Sequence, residues 1–506
     1  MYRSTPPGQL SFENFYLPFG GKLSGENRWV KLAEWIPWED FESEYAAQLS
    51  QGMGAPAKSF RMALGALIIK ERLGTSDEET VEQIRENPYL QYFLGLSAYS
   101  DKAPFDASMM VYFRKRLNLE LVGRINVQVV KGANVSAQTP NMEQTSGPCE
   151  DKKNEEEGKE GNEAALAPNQ GQLIVDASCA PADIRYPTDL NLLNEAREAT
   201  EDMIDTLYEQ LKGPFNKKPR TYRHQARQAY LQVAKQRKAS RKTIRKAIGK
   251  QLAYVRRNLV HMDALVAAGA SLSPLSPRLY RYLLVVHEVF RQQQWMYQQR
   301  QHRIDDRIVS LSQPHVRPIV RGKAGTPVEF GAKVSASCVE GQVFLDHLSW
   351  DNFNESGDLP QQIEAFSQRF GHYPKSVHAD QIYRTRNNRA YCRERGIRLS
   401  GPPLGRPVLH EQAQQRQQVL DDAKVRNQIE GKFGQGKRRF SLGRIMAKLA
   451  QTAESMIAIT FLVMNLERLL RLFLFIFLGF VMVCYQSILC HWRRLQISQR
   501  EFLAIA

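Results

Sequence analysis

The sequence predicts a mixed α/β core with flanking helices, preceded by an all-α segment and interrupted after its first strand by a large basic helical insertion. Three observations predict it. Leu173-Ile174-Val175 is an apolar run of the kind a buried strand shows, and it delivers Asp176 at its end. From residue 314 onward, strand-like and helix-like stretches alternate. Between these two regions, residues 190–300 read as helix, too long a stretch to be a simple connection between strands.

The first 130 residues read as helical. Met62 to Leu73 has apolar residues at helical spacing, and Gly74-Thr75 breaks it. A second helix starts at Asp77 with an acidic first turn, which favours the positive end of the helix dipole. A third, with Asp106 as its cap, runs through Met109, Met110, Tyr112 and Phe113 to Leu117 and presents Arg114, Lys115 and Arg116. Three such helices suit either a helix-turn-helix-like reader of DNA or a plain bundle with solvated arginines. Residues 135–169 then turn polar, with a charge block from Glu150 to Glu163 and too few apolar side chains to offset the entropy of ordering.

The insertion is the most basic part of the chain. No Asp or Glu occurs between Glu209 and Asp263, while residues 214–257 hold 15 Lys and Arg, among them Lys235, Arg237, Lys238, Arg241, Lys242, Arg245 and Lys246. Tyr222, Tyr230 and Tyr254 are interleaved, and the scarcity of Gly and Pro favours an extended helix or a helical hairpin. Such a surface can neutralise phosphates and release their counterions.

After the insertion, Val328 to Val334 alternates, Glu340-Gly341 marks a turn and Val343-Phe344-Leu345 follows, which predicts a hairpin. Leu359 to Phe370 suits a helix, Pro374 to Asp380 a strand, Tyr383 to Arg395 a helix, Ile397 to Leu399 a short strand, and Glu411 to Arg426 a helix continuing toward Glu430.

This layout brings three acids within reach of one another. If Asp176 and Asp380 end parallel neighbouring strands, both carboxylates emerge at one end of the sheet, and Glu430 can reach them from a helix crossing that end. Arg426 lies four residues before Glu430 and shares its face, and Lys437 returns to nearly the same azimuth in a regular helix, although Gly431, Gly434 and Gly436 disfavour one. Carboxylates suit Mg²⁺, and a pair of such ions can stabilise the attacking and leaving oxygens of a phosphodiester. Singly, each acid has a plainer reading as a turn, cap or helix-pair residue. Asp183 and Asp189 read as supporting or cap residues, with Asp189 as a cap; Asp305 and Asp306 read as surface charges. His378 reads as a core residue or as a support for Asp380.

Composition narrows the partner. The 506 residues carry a net charge of +16, which points to a polyanion and foremost to nucleic acid. Six cysteines are scattered without a paired motif, so neither a zinc site nor a disulfide framework is predicted. No secretory signal is visible, and the expected compartment is the cytoplasm, at the nucleoid. Leu472 to Tyr485 is an unbroken apolar run of 14 residues, short of the ~20 a bilayer span needs; a buried helix or aberrant tail is expected, with a membrane anchor flanked by Arg468, Arg471, Arg493 and Arg494 as the alternative.

Several stretches together resemble the bacterial insertion-sequence transposases of the DDE class. They are T-V-E-Q-I-R-E-N-P-Y-L-Q-Y-F-L-G-L and F-R-K-R-L near the start, D-A-S-C-A-P-A-D-I-R-Y-P-T-D-L-N-L-L-N-E-A-R at the first acid, and R-N-Q-I-E-G-K-F-G-Q-G-K-R-R-F at the third. The signature Y-x2-R-x3-E-x6-K is met at Arg426, Glu430 and Lys437, but Ala423 stands where the tyrosine belongs. The resemblance implies an RNase H-like core with Asp176, Asp380 and Glu430 as catalytic and metal-holding residues for two Mg²⁺ or Mn²⁺ ions. It implies Arg426 and Lys437 as DNA contacts, and cleavage at element ends followed by strand transfer into target DNA. Double-stranded DNA is the implied partner, bound by a homodimer on paired ends, with no small-molecule substrate and no membrane. A decayed copy that only binds DNA is the alternative. The corresponding division is a helical end-binding domain at 1–134, a linker at 135–169, the core at 170–189 and 310–465, the insertion at 190–309 and the apolar tail at 466–506.

Overall fold

The computed structural model describes residues 11–18, 20–50, 56–138, 168–212, 217–320, 328–402 and 412–505. Most of the expected charged linker lies outside the described residues.

The N-terminal part is helical, as its periodicity predicts: α1 (Arg28–Trp35), α2 (Trp38–Ala47), α3 (Phe60–Leu73), α4 (Asp77–Glu86), α5 (Pro88–Phe93), α6 (Met109–Arg116) and α7 (Leu119–Gln138). Local chemistry sets the ends. Ser59 Oγ accepts the Met62 amide at the start of α3, and Gly74 closes that helix at φ 71°, a left-handed conformation that glycine adopts without strain. Ser76 caps α4 ahead of Asp77, Glu78 and Glu79, and Pro88 opens α5 behind the Asn87 cap. The cap of α6 is Ser108 rather than Asp106, whose carboxylate instead accepts the Ser108 amide.

One mixed sheet follows, built from β1 (Gln172–Pro181), β2 (Arg317–Val320), β3 (Val328–Val339), β4 (Gln342–Ser349), β5 (Ser376–His378) and β6 (Arg398–Leu399). Its order is β2-β3-β1-β5-β6, with β4 also paired to β3. The β3–β4 hairpin turns at Glu340-Gly341 as expected, β1 is antiparallel to β3, and β1 is parallel to β5. Between β4 and β5 runs α12 (Leu359–Phe370), and between β5 and β6 runs α13 (Arg386–Glu394). The predicted helix from Tyr383 begins later because Asp380 first caps a separate 3-10 turn, Gln381–Tyr383.

Alternation along β1 sorts its side chains between two layers. Leu173 and Val175 pack under α12 with Ile363, Phe366 and Val377. Ile174 and Ala180 face the other way, toward α14 (Gln412–Arg439) and α15 (Ala450–Ile505). Helix α14 runs unbroken through its three glycines. Gly436 is closely packed: a Cβ there would come within 3.0 Å of Leu442 and 3.3 Å of Met464, so those side chains would have to give. Helix α15 buries Ile457, Ile459, Leu462 and Val463 in the same apolar core as the N-terminal helices and this face of the sheet. Each such side chain contributes ~1.5–3 kcal/mol by burial.

The insertion forms four helices with a core of their own: α8 (Asp189–Glu209), α9 (Arg223–Ala234), α10 (Arg241–Ala267) and α11 (Pro277–Gln299). The basic segment is therefore a hairpin, broken between Ala234 and Arg241. Thr188, not Asp189, caps α8; Asp189 is its first residue and accepts hydrogen bonds from Gln293 and Arg307. Among the described residues no helix is long and apolar enough to cross a membrane. The apolar run continues α15, and most of its side chains beyond Phe475 lie outside the described residues.

Candidate active site

Register decides where the first two acids go. Ile174 on β1 is paired with His378 on β5, and Asp176 and Asp380 each stand two residues further along the same direction. They consequently reach the same edge of the sheet. Asp176 was expected at the end of its strand but sits mid-strand, because β3 continues to pair with β1 as far as Pro181. Asp380 lies just beyond β5, where its Oδ1 accepts the Gln381 amide at 2.7 Å and caps the turn.

Helix α14 packs across this edge and lays Arg426, Glu430 and Lys437 along one face. All three line a single cleft of about 930 Å³ together with Asp176 and Asp380. Arg426 sits between the acids, 3.1 Å from Glu430 and 3.8 Å from Asp380. Lys437 Nζ lies 4.0 Å from Glu329.

Asp176 is strongly perturbed by its surroundings. Burial pushes its carboxyl up to about 6, against the lowering effect of its bond from the Ala177 amide at 2.8 Å, and the neighbouring charge of Glu355 adds to the rise. Glu355 is a fourth carboxylate on the cleft that the sequence pattern does not single out. It follows β4 in an ordinary polar turn, Asn354-Glu355-Ser356-Gly357, and nothing local marks it out. Its partner is Lys333 on β3, at 2.7 Å.

The donors are oxygens alone, which fits the ligand preference of Mg²⁺ or Mn²⁺, and Asp176, Asp380 and Glu430 are the residues that would hold such ions. Among the described residues, however, no three acidic, histidine or cysteine side chains gather closely enough to form one metal-binding group. Arg426 supplies the positive charge between Asp380 and Glu430 instead.

The other predicted residues divide into exposed and engaged cations. Arg114 was expected to contact DNA, yet its guanidinium is buried and grips Asp77 at 2.9 and 2.6 Å. Lys115 is exposed, and Arg116 is half-buried over the Tyr112 ring. In the insertion, Lys235, Arg237, Lys238, Arg241, Lys242 and Lys246 are each exposed or half-buried at the surface. Arg245 is not part of that surface: it stacks 4.2 Å from the Tyr297 ring and donates to the Tyr297 carbonyl. His378 is buried and bonded to Ser376, so it packs in the core and does not orient Asp380. Asp183 pairs with Arg444, and Asp305 and Asp306 are exposed.

Comparison with known proteins falls at two places along the chain. Residues 377–467, which include Asp380, Arg426, Glu430 and Lys437, match the transposase DDE domain family. Residues 18–116, the helices α1 to α6, match the transposase domain family DUF772. The chain is also 40% identical over 88 residues to the uncharacterized protein ORF8 in the nfe locus of Rhizobium meliloti, a stretch that covers 17% of this chain and 42% of that relative. No solved structure matches the chain. The two family matches, one at each end of a fold that joins them through α15, indicate an insertion-sequence transposase of the DDE type.

Proposed function

We propose that this cleft cuts DNA at the ends of an insertion sequence and joins the freed ends to target DNA. The observation that carries the reading is the shared register of Asp176 and Asp380, with Glu430 and Arg426 brought onto the same cleft by α14. The mixed sheet with α12 on one face and α14 on the other supports an RNase H-like core. Water attacks phosphorus, the bond to the 3′ oxygen breaks, and that oxygen leaves as a hydroxyl. The hydroxyl then attacks a target phosphodiester and displaces its 3′ oxygen, so no covalent protein intermediate is needed. Mg²⁺ or Mn²⁺ supplies charge neutralisation at the phosphate and a more acidic water when bound. Asp176, Asp380 and Glu430 hold the ions, while Arg426 and Lys437 fix the strand by its phosphates. The exposed cations of α9, α10 and their connection contact DNA beyond the cleft, the N-terminal helices read element ends, and two copies pair those ends.

A second reading, DNA binding without cleavage, is favoured by one observation: the three acids do not form a single metal-binding group. The two readings separate in a nicking assay on DNA bearing the element's own ends with Mg²⁺ or Mn²⁺. The active enzyme nicks, and Asp380→Asn or Glu430→Gln abolishes nicking while binding persists. Nicking unchanged in either variant rules out the proposed site. Binding without nicking in the native protein supports the second reading.

A further inference from the structure

Two features in and next to the cleft are left unused by the three acids. Glu355 follows the β3–β4 hairpin, in a 3-10 turn whose cap, Asn354, accepts the Ser356 amide at 3.2 Å. That turn packs against the Gln381–Tyr383 turn capped by Asp380, so Glu355 and Asp380 stand on adjoining turns. The Glu355 side chain is 18% exposed and lines the same cleft as Asp176. One of its oxygens lies 2.7 Å from Lys333 Nζ, and Lys333 is also tied to the Phe353 carbonyl at 2.7 Å.

The second feature is Tyr383. It is fully buried, its hydroxyl lies beside Ser335 yet completes no hydrogen bond among the described residues, and the acids whose charges reach it are Glu355, Asp176 and Asp358. A buried polar group left unpaired costs ~1–3 kcal/mol. A hydroxyl left unpaired within electrostatic reach of two carboxylates is suited to fixing one of them once that carboxylate turns toward a cation, as hydrogen bonds to metal-holding carboxylates commonly do.

We propose that Glu355 is a fourth carboxylate of this site, holding a divalent cation together with Asp176, and that the Tyr383 hydroxyl positions this pair. The proposal rests on reading the cleft as a metal-dependent DNA-cutting site, and extends it to a residue outside the three acids. Lys333 already gives Glu355 one positive charge, and the divalent ion competes with it.

The test is a Mn²⁺ titration of the full chain without DNA, read by the electron paramagnetic resonance of free Mn²⁺, with nicking measured in parallel. Glu355→Gln is expected to weaken Mn²⁺ binding by about tenfold or more. Glu355→Asp, which keeps a carboxylate near Lys333, is expected to fall between, and Tyr383→Phe to weaken binding severalfold. Wild-type Mn²⁺ affinity in Glu355→Gln, with only a lower melting temperature, overturns the proposal and leaves Glu355 as the partner of Lys333. If Glu355→Gln does not fold, Glu355→Asp decides, and an unchanged affinity there is equally fatal. Absence of Mn²⁺ binding by the wild type also overturns it. Glu355-dependent Mn²⁺ binding without nicking upholds this site while the cutting activity fails. Nicking that persists at wild-type Mn²⁺ affinity in Glu355→Gln rejects Glu355 alone.

Discussion

The guanidinium of Arg426 and the carboxylate of Glu430 meet at 3.1 Å, one turn apart on α14. The two side chains are 29% and 49% exposed, so the pair adds only ~0.5 kcal/mol to stability. Its importance is to place a cation among acids that would otherwise repel one another. Arg426→Ala is expected to leave the melting temperature almost unchanged while reducing both end-DNA affinity and nicking. Thermal denaturation beside a nicking assay checks this; a large loss of stability would make Arg426 a structural residue.

Asp176 should lower the protein's stability. Its folded-state carboxyl titrates at about 6, above the ordinary ~3.9. The folded chain therefore holds the proton more tightly than the unfolded one, and stability falls as pH rises from ~4 to about 6 and stays lower above that. Asp176→Asn is expected to abolish nicking and yet stabilise the fold at neutral pH by ~1–3 kcal/mol. Denaturant melts of both proteins at several pH values between about 4 and 8 measure the difference, and an Asn variant no more stable than the parent refutes it.

Arg114 predicts the opposite sign. Burial alone would raise the Asp77 carboxyl, but Arg114 and then Lys70 outweigh it and hold it below the ordinary range. A lowered carboxyl contributes stability that is present above the unfolded pKa of ~3.9 and lost as pH falls through the folded value. Removing one partner of so enclosed a pair costs ~3 kcal/mol, so Arg114→Met should unfold earlier in denaturant and at a higher pH on acidification. Circular dichroism follows both.

The insertion should govern salt dependence. Neutralising Lys235, Arg237, Lys238 and Lys242 is expected to flatten the slope of log affinity against log salt by up to ~0.9 for each phosphate left without its cation. Arg245→Ala, by contrast, removes a stacked side chain and should lower stability with little effect on the slope. Binding isotherms at several salt concentrations distinguish them.

The sequence revealed those parts of the fold that depend on local pattern. Strand periodicity located β1, the β3–β4 hairpin and β5, and parallel pairing of β1 with β5 follows the direction the acids required. It did not reveal that α14 would pass through Gly431, Gly434 and Gly436; of these, Gly436 lies close against Leu442 and Met464, which only the fold brings together. Nor does charge disclose a partner: Arg114, Lys115 and Arg116 read alike in sequence, and only the fold commits the first to Asp77. Glu355 was hidden for a similar reason, since its place on the cleft comes from the meeting of two turns 26 residues apart, at Glu355 and Gln381.

The shared core around α15 bears on how the protein is made. Helices α3, α6 and α7 lay down their apolar faces early in translation, but the residues that cover them, Ile457 to Val463, emerge from the ribosome some 320 residues after α7 ends. Until then those faces stay exposed, and a nascent chain stopped short of α15 presents a surface for chaperones and proteases rather than a finished core.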